Sequence, residues 1–194
     1  MNRPIIVLVF LATLFAGCSS REIQGNLAGS TAQRLLSHSI DDLIAGLPES
    51  EFSRLSGKTV YVNPHFLYDS GVKKYADQRL VFELENKYKA TVVTDLAEAD
   101  EVLTVFYTSL ATDIDNFGIA IPVSYVPGTG DGTRLNLLTL EKFHGIAEMY
   151  YYLGKQGRQH RGKTMQAVVK TDALGLPFIT IPLSNIDRHE QPLF

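Results

Sequence analysis

KTVYVNPHFLYDSGVKKYADQRLVFELENKYKATVVTDLAEADEVLTVFYTSL, residues 58–110, carries the clearest succession of strand and helix patterns in the chain. Three runs within it are rich in β-branched and aromatic residues and predict strands: 58–63, 90–94 and 102–110. Between the first two runs, Ser70 stands where a helix N-cap belongs. The apolar residues after it recur at helical spacing: Val72, Ala76, Leu80 and Leu84. The order strand, helix, strand, strand is therefore predicted.

The flanking sequence predicts further elements. Apolar residues at helical spacing predict an amphipathic helix between 35 and 47, which Gly46-Leu47-Pro48 ends. On the other side, residues 116–133 are rich in Gly and Pro and predict a loop. Residues 135–140 and 146–153 have an extended pattern, and 154–157 predicts a hairpin turn into a returning strand.

These elements together predict the α/β (α+β) class. We expect an N-terminal amphipathic helix, then β-α-β-β, then a C-terminal antiparallel hairpin, in a mixed sheet with helices on one face. One globular domain is expected over residues 31–194, which is long enough to bury a core. Because Cys18 is the only cysteine, the chain cannot form an intramolecular disulfide.

The amino terminus has the pattern of an exported protein. Arg3 precedes a largely apolar run over 5–15, and small residues lead to Cys18. The run is shorter than the roughly 20 apolar residues that span a bilayer. Phe15-Ala16-Gly17-Cys18 resembles a bacterial lipobox, although Leu is commoner where Phe15 stands. The resemblance implies a signal peptide over 1–17, acylation (palmitate included) of Cys18, and, from Ser19, the outer membrane.

The segment after the acylated cysteine is polar and has no periodic pattern. We therefore expect residues 18–30 to be the lipidated terminus and a flexible tether. The whole chain has a net charge of −3, which gives no sign of the basic surplus typical of nucleic-acid binding. Nucleic acid is therefore not an expected partner, whereas membrane lipid is, through Cys18.

One motif match would indicate phosphate binding only in a particular structural context. Residues 157–164, GRQHRGKT, fit the G-x-x-x-x-G-K-[ST] pattern of a phosphate-binding loop. Such a loop lies between a buried parallel strand and a long helix, and only thirty residues follow Thr164. We interpret the match as an exposed basic turn and expect no nucleotide or other cofactor.

Other polar residues give weaker patterns. Asp113 and Asp115 resemble part of a calcium loop, but Ser124 stands where the bidentate Glu belongs, so solvated carboxylates are the favoured interpretation. The five histidines are scattered and predict no metal site. His144 and Glu148 lie four residues apart, and a structural role is favoured for both. We expect no catalytic residue.

A basic and aromatic patch is predicted near the hairpin. Its basic residues adjoin the run Tyr150-Tyr151-Tyr152 and are these: Lys155, Arg158, His160, Arg161 and Lys163. The patch could meet anionic head groups or glycans, and a solvated hairpin is the favoured interpretation.

Gly57-Lys58 stands before the first predicted strand, 97–100 (AEAD) stands before the third, and 118–122 (GIAIP) follows. With these motifs, the layout over residues 36–182 resembles a family of uncharacterised bacterial lipoproteins. More loosely, the order of elements is similar to that of curli-secretion-type lipoproteins and of the amino-terminal domain of TolB. Those families imply assembly and docking without catalysis, and no site residue is carried over from them.

The sequence therefore predicts a non-enzymatic lipoprotein of the bacterial envelope, facing the periplasm or the cell surface. It would present the 111–134 loop and sheet edges to an envelope protein or to another copy of itself. Two alternatives remain. One is a hydrolase or glycan-acting enzyme that uses loop carboxylates such as Asp113 and Asp115, facing each other across a cleft. The other is a small-ligand-binding lipoprotein with a deep apolar pocket.

Overall fold

A computed structural model of the chain describes residues 19–24, 29–122, 134–177 and 179–183. These residues form three α-helices: α1 Ser30–Ala45, α2 Glu49–Phe52 and α3 Gly71–Asn86. They also form eight strands: β1 Ser19–Gln24, β2 Thr59–His65, β3 Thr91–Val93, β4 Glu101–Pro122, β5 Arg134–Lys155, β6 Arg158–Arg161, β7 Met165–Gly175 and β8 Thr180–Pro182. None of the described helices is long and apolar enough to cross a membrane.

The strands form one mixed sheet in the order β3-β2-β4-β5-β7-β8, with β1 beside β4 and β6 beside β5. β2 pairs in parallel with β3 and with β4, whereas β5–β6 and β7–β8 are antiparallel pairs. The predicted α/β class, the β-α-β-β order and the mixed sheet with helices on one face are confirmed.

The described residues divide into two compact units. The first, the helical unit, comprises residues 29–112 and 144–169 and contains the three helices. The second, the strand unit, is built from strands and comprises these ranges: 19–24, 113–122, 134–143, 170–177 and 179–183. The single domain expected over 31–194 stays a prediction. β4 and β5, 22 residues each, contribute residues to both units.

The core of the helical unit lies between the helices and one face of the sheet. α1 and α3 bury their apolar stripes there, and alternate residues of β4 and β5 meet them, as the period of a strand requires. The largest fully buried side chains in the core include Phe52, Leu35, Ile40, Leu80, Leu103, Met149 and Tyr151. Ser70 caps α3 as predicted, since its Oγ accepts a hydrogen bond from the Lys73 N–H at 3.2 Å.

Two predicted irregular segments are strands instead. Residues 19–24, expected to be a flexible tether, form β1 and pair with β4, because any extended segment can complete a main-chain ladder whatever its side chains are. Residues 116–122, expected to be loop, belong to β4. Gly118, at φ +145°, lies so close to the main chain of Leu138 and Thr139 that any Cβ would overlap it, so this glycine permits close strand packing.

Candidate functional site

The face of the sheet that points away from the helices is the candidate site. On β4, Leu103, Val105 and Tyr107 are buried in the core, so the residues between them face the other way. The same alternation on β5 buries Met149 and Tyr151 and turns their neighbours outward. We call the surface formed by the outward residues of β2, β4, β5 and β6 the open face; its aromatic and basic members include His65, Phe106, Tyr150, Tyr152 and Arg161.

A stack of rings crosses three neighbouring strands of the open face. His65 is the register partner of Phe106, and their ring centres lie 4.8 Å apart with planes 17° from parallel. Phe106 stacks in turn on Tyr150 at 5.1 Å and 14°. The guanidinium carbon of Arg161 lies 4.8 Å from the centre of the Tyr150 ring, so a cation closes that end of the stack.

The orientation of these rings limits what they can bind. Their separations match the spacing of about 4.8 Å between neighbouring strands. Coplanar rings would collide at such distances, so the three rings stand face to face and present their edges to solvent. Ring edges carry partial positive charge and attract carbonyl and carboxylate oxygens. The inner faces of the stack are not available to a sugar ring.

Several polar groups beside the stack are already hydrogen-bonded to one another. Thr108 Oγ1 donates to Glu148 Oε1 at 2.9 Å, and Gln166 Nε2 donates to Glu148 Oε2 at 3.3 Å. Gln159 Nε2 reaches Thr104 Oγ1 at 3.1 Å. Tyr152 packs edge-on against Phe106 and Tyr150, with centres 6.2 and 6.1 Å away. Mutual support of this kind holds the open face in one arrangement before any partner arrives.

The structure divides the predicted basic and aromatic patch. Tyr150 and Tyr152 belong to the open face, but Tyr151 is fully buried on the other side, where its hydroxyl donates to Glu51 Oε2 at 2.9 Å. Burial and the Glu51 carboxylate raise the pKa of Tyr151. His160 also lies on the helical side, 3.4 Å from the Arg54 guanidinium. Only Arg161 of the basic residues contacts the stack.

The phosphate-loop match lies in a hairpin. Gln156 and Gly157 form the turn between β5 and β6, with Gly157 at φ +74°, as predicted for 154–157. Residues 158–161 form β6, and β7 follows where a phosphate-binding loop would continue into a helix. A Cβ on Gly162 would overlap the Tyr151 ring, which shows why a glycine is needed there.

The other polar residues singled out in the sequence lie elsewhere. Asp113 and Asp115 are strand residues of β4, two positions apart and on one side of the strand, not on a loop or across a cleft from each other. His144 and Glu148 both lie on β5, where Glu148 holds the hydrogen bonds above. No three His, Cys, Asp or Glu side chains gather into a possible metal site within the described ranges. Cys18 and residues 123–133 of the predicted 111–134 loop lie outside those ranges.

A shallow hollow of about 300 Å³ lies along the outer side of α3. It is lined by four side chains of that one helix: Tyr75, Gln78, Arg79 and Phe82. Arg79 Nε donates to Asp41 Oδ1 at 2.6 Å, and the Tyr75 hydroxyl donates to the same oxygen at 3.0 Å. Because a single helix forms its whole lining, the hollow lacks the enclosing walls of a ligand pocket.

Sequence reasoning missed His65 and Phe106. The alternation in VLTVFYTSL places Phe106 opposite Leu103 and Val105, and that signal was available. The contact between His65 and Phe106 depends on the register of β2 against β4, which no local pattern encodes.

No protein-family model and no curated protein matches the chain. Among solved structures, the chain is similar to the LpoB C-terminal domain from Salmonella enterica, at 10% sequence identity and a TM-score of 0.34. The match covers 69% of this chain and 97% of that one. The resemblance to uncharacterised lipoproteins stays a prediction from the sequence.

Proposed function

We propose that the chain is a non-enzymatic lipoprotein of the bacterial envelope, anchored in the outer membrane by acylated Cys18. Its helical unit binds protein, either an envelope partner or another copy of the chain. The observation that carries the proposal is the open face, a stack of three aromatic rings and a cation on the side of the sheet that the helices leave uncovered.

The chemistry of the open face favours a protein over other ligands. Aromatic residues and Arg are enriched at the centres of protein interfaces, where they supply contact area at a low entropic cost. The upright rings offer edges to main-chain carbonyls and carboxylates, and offer sugars no flat surface within the stack. Glu148 and Gln159, which are hydrogen-bonded beside the stack, would not be left unpaired when the face is covered.

The anchor is supported by the amino-terminal sequence alone. Each methylene of an acyl chain buried in a membrane contributes about 0.8 kcal/mol, so one chain attaches reversibly and two or more attach firmly. The three chains that the lipobox resemblance implies at Cys18 would hold the protein at the membrane permanently. The anchor would then bring the protein to its partner at the membrane, and no catalysed reaction would be needed.

Replacing the lipid-bearing residue tests the anchor. We expect Cys18→Ser to leave the protein uncleaved at residue 17 or released as a soluble form, because the hydroxyl cannot take the place of the acylated thiol. Fractionation of the cell envelope and mass spectrometry of the amino terminus measure this. A Cys18→Ser protein that is still processed and still sediments with the outer membrane would refute the anchor.

Site-specific photocrosslinking in intact cells tests the open face. A photoreactive residue at Thr108, which is exposed beside the stack, is expected to give discrete adducts with protein. The matched control is the same residue at Glu85, exposed on α3. Adding Phe106→Thr to the Thr108 probe should remove the adducts because it breaks the stack at its centre. Equal adducts from both positions, or none from Thr108, would contradict a role for the open face.

A further inference from the structure

One edge of the sheet in the helical unit is basic, and no further described strand lies beside it. β6 pairs with β5 alone among the described strands. The hydrogen bonds of an antiparallel pair use alternate residues, so the remaining N–H and C=O groups of β6 point outward from the sheet. An extended segment laid along this edge would complete them.

The charge along this edge has a single sign. From 149 to 171 the sequence contains no Asp or Glu. The cations of the hairpin are Lys155, Arg158, Arg161 and Lys163. All four are exposed, and none lies within ion-pairing distance of a described carboxylate. A basic surplus on a chain of net charge −3 is therefore segregated onto one edge.

The edge that β3 forms in the sheet of the helical unit is acidic. β3 is the last strand there and pairs only with β2 among the described strands. Asp95 and Glu98 follow it directly, are exposed, and lack ion pairs with the part of the chain that the structure describes. Asp100 is different, because it accepts two hydrogen bonds from Thr59 at 2.9 Å, which lower its pKa. Lys89 lies before β3, so this edge has a cation at the start of the strand and carboxylates after its end.

We infer that anchored copies of the chain associate head to tail, with the basic β6 edge of one copy against the acidic β3 edge of the next. Like edges repel each other, which disfavours a two-fold contact, whereas unlike edges attract and leave one free edge of each kind. A contact of this kind repeats, so it builds a row of copies or a ring. Strand addition along β6 and β3 contributes the main-chain hydrogen bonds.

The inference rests on the proposed function, because it needs the membrane anchor to reach a useful strength. β3 has three residues and β6 has four, so each contact is small and would be weak in solution. Attachment to one membrane confines the copies to a thin layer and raises their effective concentration without any new contact.

Cysteine crosslinking of the full chain in intact cells tests the arrangement. Thr91→Cys places a thiol on β3, and Thr164→Cys places one just after β6; both threonines are exposed. With a bismaleimide, the double variant is expected to give a ladder of dimers, trimers and larger products, and either single variant is expected to give none. A dimer from Thr164→Cys alone would mean a two-fold contact and would overturn the head-to-tail arrangement, as would the absence of any ladder.

Charge reversal in the double-cysteine background supplies the control. Lys163→Glu and Glu98→Lys are each expected to reduce the ladder about tenfold, the effect of losing roughly 1.4 kcal/mol across the contact, and together to restore it. If the basic edge served only to prevent aggregation, Lys163→Glu would strengthen association instead. Adducts from the Thr108 probe that persist when the ladder fails would overturn the head-to-tail arrangement and leave the proposed function standing. A Cys18→Ser protein that stays at the membrane would refute the anchor, on which the proposed function and the head-to-tail arrangement both depend.

Discussion

Replacement of Phe52 by alanine is expected to lower the free energy of unfolding by about 3–5 kcal/mol, the range measured for buried aromatic residues. Phe52 is fully buried at the end of α2. Its ring lies 5.5 Å from that of Tyr88 and 5.2 Å from that of Tyr151. Both tyrosines are fixed by their hydroxyls, to Leu47 O at 2.8 Å and to Glu51 at 2.9 Å, so they cannot collapse into the cavity.

Phe82→Ala is the matched control for this prediction. Phe82 is 58% exposed on α3, so the same change of side chain there should cost about 0.5 kcal/mol or less. Urea unfolding of the full chain, followed by far-ultraviolet circular dichroism, measures both variants. Equal losses at the two positions would show that Phe52 does not fill the core between α2 and the sheet.

The elements that the sequence predicts correctly are those whose signal is local. α3 has its cap at Ser70, its apolar positions at helical spacing, and an ion pair between Glu83 and Lys87 at 3.5 Å in the order that favours a helix. The helix signal around Ser70 can be recognised without the rest of the chain. The strand runs 58–63, 90–94 and 102–110 are equally local, and each falls on or within a strand to one or two residues.

The features that the sequence does not predict depend on distant pairings. Residues 116–122 have the composition of a loop, yet they continue β4 because β5 lies alongside them, and residues 19–24 become a strand because β4 offers them a partner. The open face follows the same rule. Tyr150 and Arg161 belong to a hairpin that the sequence does indicate, but His65 reaches them only through Phe106 and the parallel register of β2 with β4.

Gly145→Ala is expected to destabilise the helical unit by about 3 kcal/mol, near the upper end of the usual range for overpacking. Gly145 is buried on β5, directly beneath the main chain of α1. A Cβ at this position would overlap the carbonyl group of Leu35, which is part of the helix backbone and cannot rotate away. Relief requires α1 to move off the sheet, which would expose core residues such as Leu36 and Ile40.

Gly71→Ala separates this steric effect from the general effect of removing a glycine. Gly71 is the first residue of α3, and a Cβ there would meet no atom within 4 Å. Because alanine has the higher helix propensity, this control is expected to keep or slightly raise the midpoint of urea unfolding. The urea midpoint of the Gly145→Ala variant should fall well below those of the Gly71→Ala variant and of the parent chain. If it stayed at the value of the parent chain, α1 would not pack against β5 as closely as the structure has it, and the burial of the whole apolar face of α1 would be in question.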